Sequence, residues 1–485
     1  MGVKMGKKVT STRRFHEMIY RELENIVGPR DITDKKVDKI VYSVDYFWIP
    51  EMLIDRGCNP PMADYIVHPE TSEEVSRIIQ LANTYKIPLT VWGGGSGSQG
   101  GALPVDGGII VDIKKLDRVL EIDEKSLIVT AQSGIIAQDL EWKLNERGYT
   151  MGHLPASMYC ATMAGFLAHR GSGVLSTKYG KIEDMIIKME VVLPTGEIIR
   201  TAPVPRHAAG PDLSQLFIGS EGTLGIITEA TFKIHPIPEE RRFRAFVFEN
   251  LHSAYEAGRK IMTRRLRPCT IRLYDEVETR RYVKRVIGVE KEGAYMVFGF
   301  DGDKEMVDLE EKAAIKICQD EGGEDLGKKG GEHWWEHKYD FFFPPYMFWI
   351  PQMYGTMDTV ATYDKMEKIF KELKKVIEKT YPQAYIIAHF SHWYEWGCMG
   401  YIRFIIDDPP QDPQEARKLH DAIWDTGINT ILANGGMVNE HHGIGIKLAR
   451  FMKKQYGPAF TVMEKIKRAL DPNDIMNPKK LGFGS

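Results

Sequence analysis

Two adjacent histidines, His441 and His442, precede Gly443-Ile444-Gly445 near the end of the chain and are the residues best suited to proton chemistry. Imidazole takes and gives protons near neutral pH. Such a pair can therefore act as base while a carbinol is oxidised, or polarise a carbonyl. A zinc ion would need three or four ligands. Glu440, His441 and His442 are consecutive and lack the i, i+4 spacing that puts two ligands on one helix face, so no metal is expected. Two surface histidines remain the alternative reading.

A second chemistry is phosphate binding. The run Val91-Trp92-Gly93-Gly94-Gly95-Ser96-Gly97-Ser98-Gln99-Gly100-Gly101 follows an apolar stretch, Ile87 to Thr90, that predicts a buried strand. It contains G-x-G-x-x-G at Gly95, Gly97 and Gly100, but a dinucleotide fingerprint needs a helix directly after it. A Gly/Pro turn, Ala102 to Gly108, leads instead into another strand, Ile109 to Ile113. Glycine N–H groups can still form a nest for a diphosphate. An ordinary glycine-rich hairpin is the alternative. Two further segments of this kind follow: Gly152 to Gly165, continuing to Gly173, and Ile218 to Thr228. Three of them read as one large nucleotide-like ligand held at several points.

The elements that must position these residues form a mixed pattern. Residues 1 to about 60 predict a helical lead-in, followed by a strand at Tyr65–Pro69 and a helix opened by Thr71 and Glu74 at capping-box spacing. Leu127–Ala131 predicts a strand, Ile136–Arg147 a helix ended by Gly148, and Met189–Thr201 a hairpin turning at Pro194-Thr195-Gly196. The pattern restarts after His235–Arg242 with a strand (Phe243–Phe248), a helix (Ser253–Thr263) and charged helices at Glu305–Cys318 and Lys365–Lys379. Pro413–Asn434, with Asp412 as N-cap, and Met452–Leu470 predict the last helices. Short strands with interspersed helices indicate an α+β fold.

A chain of 485 residues accommodates two or three domains. With 27% charged residues and a net charge of −3, nucleic acid is not an expected partner. The five cysteines are scattered without a C-x-x-C pair, which argues against disulfides and metal knuckles and for a reducing, cytoplasmic setting. Met1–Arg14 lacks the apolar core of a signal peptide, and no apolar run is long enough to cross a membrane. Phe341–Pro351, aromatic and broken by three prolines, predicts a pocket wall; a membrane-surface patch, and with it peripheral membrane association, is the alternative.

The ordered motifs carry a resemblance. G-G-G-S-G near residue 95, S-x-x-x-A-T-x-x-G near 160, Y-G-x-I-E-D at 179–184 and G-S-E-G-T-L-G-I-I-T-E-A at 219–230 resemble the vanillyl-alcohol-oxidase-type (PCMH-type) FAD-binding flavoproteins. Asn434–Gly445 and Asp471–Pro478 fit the same superfamily. The resemblance implies a PCMH-type two-subdomain FAD-binding domain over 1–238 and an α+β cap domain with an antiparallel sheet over 239–435. A segment over 436–485 would return to the flavin. It assigns Trp92, Gly93, Gly94, Gly95, Ser96 and Gly97 to the FAD pyrophosphate region. Ser157, Thr162, His169, Ser172, Glu221, Gly222, Thr223, Leu224, Gly225 and Ile227 would lie along the rest of FAD. Residues 91–101 contain no His or Cys, so FAD is expected to be non-covalent.

Two branches compete within that superfamily: D-2-hydroxy-acid (lactate/glycolate-type) dehydrogenases and alkylglycerone-phosphate synthases. The first has G-E-H-G-I-G and the second three consecutive histidines; Asn439-Glu440-His441-His442 matches neither in full. Arg272 in Thr270–Asp275, Tyr401 in Tyr394–Tyr401 and His153 in Gly152–Pro155 resemble synthase positions, and all three are candidates for binding substrate. The synthase's substrate-phosphate arginine has no counterpart in Phe341–Tyr346, ahead of Asp358–Thr362, and an aromatic wall suits a dianion poorly.

The leading expectation is FAD-dependent oxidation of an alcohol carbon, a D-2-hydroxy acid first, by hydride transfer to flavin N5. His441 and His442 supply base and orientation, and Tyr401 and Arg272 hold the substrate. Electrons then pass to a separate acceptor (protein, quinone or O2). The alternatives are a redox-neutral synthase-like transferase and an electron-relay subunit of a complex. A homodimer is left open.

Overall fold

The computed structural model describes residues 3–341 and 350–484, with side chains from Arg13 onward. The predicted aromatic wall at 341–351 therefore lies mostly outside the described residues. Phe341 itself is buried and stacks on Tyr274 with ring centroids 5.7 Å apart.

The helical lead-in forms as helices Val3–Val27, Lys36–Val41 and Trp48–Asp55. A four-stranded sheet follows in the order Ile32–Thr33, Tyr65–Val67, Ile109–Asp112, Leu89–Trp92. Its last three strands run parallel, so the glycine loop is a crossover between parallel neighbours and not a hairpin. These strands are short and apolar because both faces are covered. Helix Ser72–Tyr85 covers them; Thr71 Oγ1 accepts the Glu74 N–H at 3.1 Å. The Glu74 carboxylate reaches back to the N–H of Glu70 rather than of Thr71, one residue beyond the usual reciprocal partner.

A second, antiparallel sheet has the order Val119–Asp123, Ile128–Gln132, Ile226–Lys233, Ile186–Val192, Ile198–Arg200. Its last two strands are the predicted hairpin, turning at Gly196 with φ +86°. Side chains from both sheets, among them Val67, Ile109, Val129, Val191 and Phe232, share one apolar core.

The third sheet is antiparallel and seven-stranded: Glu324–Leu326, Glu240–Phe248, Ala294–Gly302, Thr270–Tyr274, Tyr385–Trp393, Gly397–Ile406, Met353–Thr362. Helices Leu251–Thr263, Lys304–Asp320, Tyr363–Thr380 and Pro413–Ala433 pack on it. In Tyr363–Thr380 the buried residues are Met366, Ile369, Phe370, Leu373 and Ile377, the spacing of a single apolar stripe. Asp412 caps the last of these helices, accepting the N–H groups of Gln414 and Glu415 at 2.9 Å each.

One predicted helix is interrupted. Met452–Leu470 divides into Met452–Tyr456 and Phe460–Leu470, because Gly457 takes φ +53° and Pro458 has no N–H to continue the ladder. The chain then returns to the first sheet: the Leu89 N–H donates to Ile475 O and the Asn477 N–H to Leu89 O, both at 2.7 Å.

Candidate active site

Strand register assembles one wall of the site. Tyr274 faces His389, His389 faces Tyr401, and Tyr401 faces Asp358, a row running directly across four adjacent strands of the seven-stranded sheet. Alternation puts Arg272, Ser391, Arg403 and Thr356 on the same face, since each lies two residues from a member of the row. The opposite face, with Phe390, Gly400, Ile402 and Met357, meets the helices. The His389 and Tyr401 rings stack 4.6 Å apart and nearly parallel. Arg272 Nη1 lies 2.7 Å from His389 Nε2, while its Nε is buried without a partner. Burial holds His389 down to about 3, so it is neutral and able to accept from Arg272. Behind them Arg403 and Glu278 form a fully buried ion pair.

Beside the wall, the histidine pair is held by two buried carboxylates, one of them Asp358 of the row itself. Asp358 Oδ1 accepts from Asn439 Nδ2 at 2.6 Å and lies 2.8 Å from His442 Nδ1. Its Oδ2 accepts the N–H groups of Glu440 and His441 at 3.2 and 3.0 Å. Glu440 contacts His392 Nδ1 at 3.0 Å, accepts from the Tyr394 hydroxyl at 2.6 Å and pairs with Lys181 at 3.1 Å. His441 Nδ1 sits 2.8 Å from Glu440 and 3.1 Å from Asp358, without a well-directed hydrogen bond to either.

The proton of this pair belongs on His441. Burial opposes its charge, but the two carboxylates outweigh burial and raise it to about 9. His442 moves the other way, lowered by burial and by the neighbouring His441 despite Asp358. A neutral His442 donates Nδ1–H to Asp358 and leaves the Nε2 lone pair facing the Tyr401 hydroxyl at 3.4 Å. This is an orienting carboxylate, a neutral base and a phenol in sequence.

The glycine segments lie beside this chemistry. A cavity of about 520 Å³ is lined by Arg272, Tyr401, His441 and His442 on one side and by Gly94–Gly97 on the other. A second cavity, about 120 Å³, runs on between the loop, Thr162 and Glu221–Gly222; it shares Gly94–Gly97, His169 and His442 with the first. Backbone approaches here leave no room for side chains. A Cβ on Gly94 would overlap the Cys160 carbonyl oxygen, and one on Gly93 would lie 2.5 Å from Thr162 Oγ1. By contrast Gly97 faces open space, and Ser172 Oγ, at the cavity wall, is buried without a partner. Such a narrow, glycine-walled cleft opening into a wider chamber fits a flat, diphosphate-bearing cofactor.

Glu221 locks the segments together. Its carboxylate accepts the N–H groups of Ile444 and Gly445 at 2.5 and 2.7 Å, tying the third glycine segment to the histidine turn. Burial pushes that carboxyl up to about 7. Asn477 Nδ2 donates to Glu221 O at 2.6 Å and to Gly101 O at 2.9 Å, joining the first segment as well. His169 Nδ1 lies 2.7 Å from His441 O.

Of the sequence candidates, Gly93–Gly97, Ser157, Thr162, His169, Ser172, Glu221, Gly222, Gly225 and Ile227 line one cavity or both, together with Arg272, Tyr401, His441 and His442. Four candidates lie behind the surface. Trp92 is buried under Gly95 and packs on Tyr42. Thr223 donates its hydroxyl to Ser220 O, and Leu224 belongs to the core. His153 is buried edge-on to Phe166 with both ring nitrogens unpartnered, and lines neither cavity. Residues that motif reading passed over are Asp358, His389, His392, Lys338 and Lys447, which reach the site through strand register or loop packing. An aspartate between Met357 and Thr359 in an otherwise uncharged strand was the available signal for a buried charge with a purpose.

The fold and the glycine cleft define a flavin-binding protein, and comparison places it. Residues 63–202 match the FAD binding domain and residues 237–481 the C-terminal domain of FAD-linked oxidases. The chain belongs to this FAD-linked oxidoreductase family and binds FAD. It is 31% identical to an alkyldihydroxyacetonephosphate synthase of Trypanosoma brucei brucei, over 90% of this chain and 75% of that one. It is 30% identical to an uncharacterised FAD-linked oxidoreductase of Escherichia coli, over 95% and 97%. It is 28% identical to a mitochondrial D-lactate dehydrogenase (cytochrome) of Arabidopsis thaliana, over 89% and 75%. A solved alkyldihydroxyacetonephosphate synthase superposes with TM-score 0.79 at 27% identity, covering 96% of this chain and 85% of that one. A substrate-bound p-cresol methylhydroxylase, at 19% identity and TM-score 0.78 over 96% of each chain, shares the PCMH-type α+β fold. Among the described residues no helix is long and apolar enough to cross a membrane.

Proposed function

We propose that the protein oxidises the alcohol carbon of a small 2-hydroxy acid. The observation that carries this reading is the placement of His442, tied through Nδ1 to Asp358 and presenting Nε2 to the cavity beside Tyr401. Bound FAD would supply the acceptor for the hydride that leaves the substrate carbon, with a separate acceptor reoxidising it. Gly93–Gly97, Ser172 and the Glu221–Gly222 turn would hold it. His442 accepts the hydroxyl proton at Nε2, and Asp358 stabilises the imidazolium that results. Arg272, with a free buried Nε, binds the carboxylate, and the Tyr401 hydroxyl positions the reacting oxygen. Protonated His441 stays between its two carboxylates, where its charge offsets theirs.

The test is anaerobic: FAD-loaded protein is mixed with a panel of D- and L-2-hydroxy acids and simple alcohols while the flavin spectrum is followed. Bleaching by a hydroxy acid is the expected result; a flavin that no member bleaches sinks the proposal. A second reading is a redox-neutral, synthase-like transferase, favoured by the 31% identity to the trypanosomal synthase. Ether formation from acyl-dihydroxyacetone phosphate and a fatty alcohol, with no net flavin reduction, would establish it.

The site also sets a pH profile. kcat/KM should fall on the acid side as His442 gains a proton, with a midpoint below the ordinary histidine value. It should fall again near pH 9, where His441 loses its proton and leaves two buried carboxylates unbalanced. A profile whose acid limb persists unchanged in His442→Gln would remove His442 as the base.

The flavin should leave on denaturation. The first loop offers no His or Cys, and although the exposed Cys160 lines the same cavity, partial desolvation raises its thiol pKa and disfavours the thiolate. Acid precipitation is expected to yield a colourless pellet and free FAD in the supernatant. A yellow pellet would show a covalent bond.

A further inference from the structure

We propose that the surface of helix Gly327–His337 carries a binding site for a divalent transition ion of the Zn²⁺ class. His333, Glu336 and His337 offer one donor atom each, and these atoms lie within 4.8 Å of one another. His333 and His337 have the i, i+4 spacing that His441 and His442 lack, and their rings approach to 4.3 Å between centroids. A zinc ion with bond lengths of about 2.0–2.1 Å holds its ligands roughly 3.3 Å apart. Small rotations of the exposed His333 and Glu336 toward the half-buried His337 close the remaining distance. A fourth position is left for water.

Two features distinguish this site from a chance surface cluster. Asp340 Oδ2 lies 2.5 Å from His337 Nδ1, which engages that nitrogen, fixes the tautomer and leaves Nε2 free for the ion. A carboxylate behind a ligating imidazole is the usual outer support of a metal site. The helix is also rigidly seated. Trp334 is fully buried and donates Nε1–H to the Tyr274 hydroxyl at 2.9 Å, and Trp335 stacks on Phe243 at 4.5 Å. Gly331 packs so closely on the strand at Phe243–Arg244 that a Cβ there would overlap its backbone. The ligands therefore stand on a fixed platform.

The experiment uses full-length, FAD-loaded protein stripped with a chelator and titrated with ZnCl2 by calorimetry. The wild type should bind one equivalent more than His333→Gln/His337→Gln, with identical flavin spectra. Asp340→Asn should weaken the same binding event by about 10–100-fold. Equal stoichiometry in wild type and double variant would overturn the proposal, because any bound ion would then sit at the interior histidines and carboxylates. Unchanged affinity in Asp340→Asn would overturn the built site, leaving adventitious chelation by exposed histidines.

Discussion

Asp358→Asn is expected to lower kcat/KM for the hydroxy acid that reduces the flavin by about 10²–10⁴-fold, with FAD content unchanged. Both oxygens of Asp358 are used: one meets Asn439 and His442 Nδ1, the other accepts the N–H groups of Glu440 and His441. Burial disfavours its charge, but the two histidines hold it ionised, well below the usual carboxylate range. Asparagine keeps the volume and loses both the charge and one acceptor. The Nδ1–H of His442 then meets an amide that can present N–H₂ instead of oxygen, so the imidazole is free to adopt the tautomer with Nε2 protonated. That tautomer cannot take the substrate proton. The cofactor cleft contains no part of Asp358, which separates a loss of chemistry from a loss of flavin. Wild-type kcat/KM in the variant, measured at several pH values, would remove the orienting role.

The second large effect concerns the cofactor. Gly94→Ala should weaken FAD binding by about 1–3 kcal/mol, or about 5- to 150-fold. Its new methyl group would overlap the Cys160 carbonyl and lie 2.9 Å from Ala161 Cα. Both are backbone atoms, so no rotamer change relieves the clash and the loop must move off the segment beside it. Gly97→Ala is the informative companion. Nothing lies within 4 Å of a Cβ there, so the FAD-free protein should melt as the wild type does while FAD affinity falls, because the methyl enters the space reserved for the ligand. Fluorescence titration of refolded apoprotein with FAD reads both variants. Wild-type affinity in both would mean that FAD does not use this loop.

Local signals determined the secondary structure well where they were strong. Thr71 and Asp412 cap the helices that their side-chain oxygens predict, and the stripe of Tyr363–Thr380 is buried as its spacing requires. They failed where pairing is non-local. The strand–glycine loop–strand unit leaves an ordinary hairpin open from sequence alone, and only the parallel register of Leu89 with Ile109 makes it a crossover. The helix expected over Met452–Leu470 breaks at Gly457-Pro458, where a positive φ and a missing N–H interrupt the ladder.

The sequence by itself pointed to a large nucleotide-like ligand, which the motif resemblance made FAD, and singled out the histidine pair, because phosphate nests and tandem imidazoles are contiguous chemistry, written in runs of glycine, small residues and His441-His442. Tertiary structure alone decided which imidazole holds the proton and which is free to accept one. That difference comes from Asp358, 83 residues before His441 and reached through the register of the seven-stranded sheet, with Glu440, placed by the turn that Glu221 fastens to the cofactor loops. A pKa is set by the charges and solvent within a few ångströms. Chain position carries that information only after the sheet has folded.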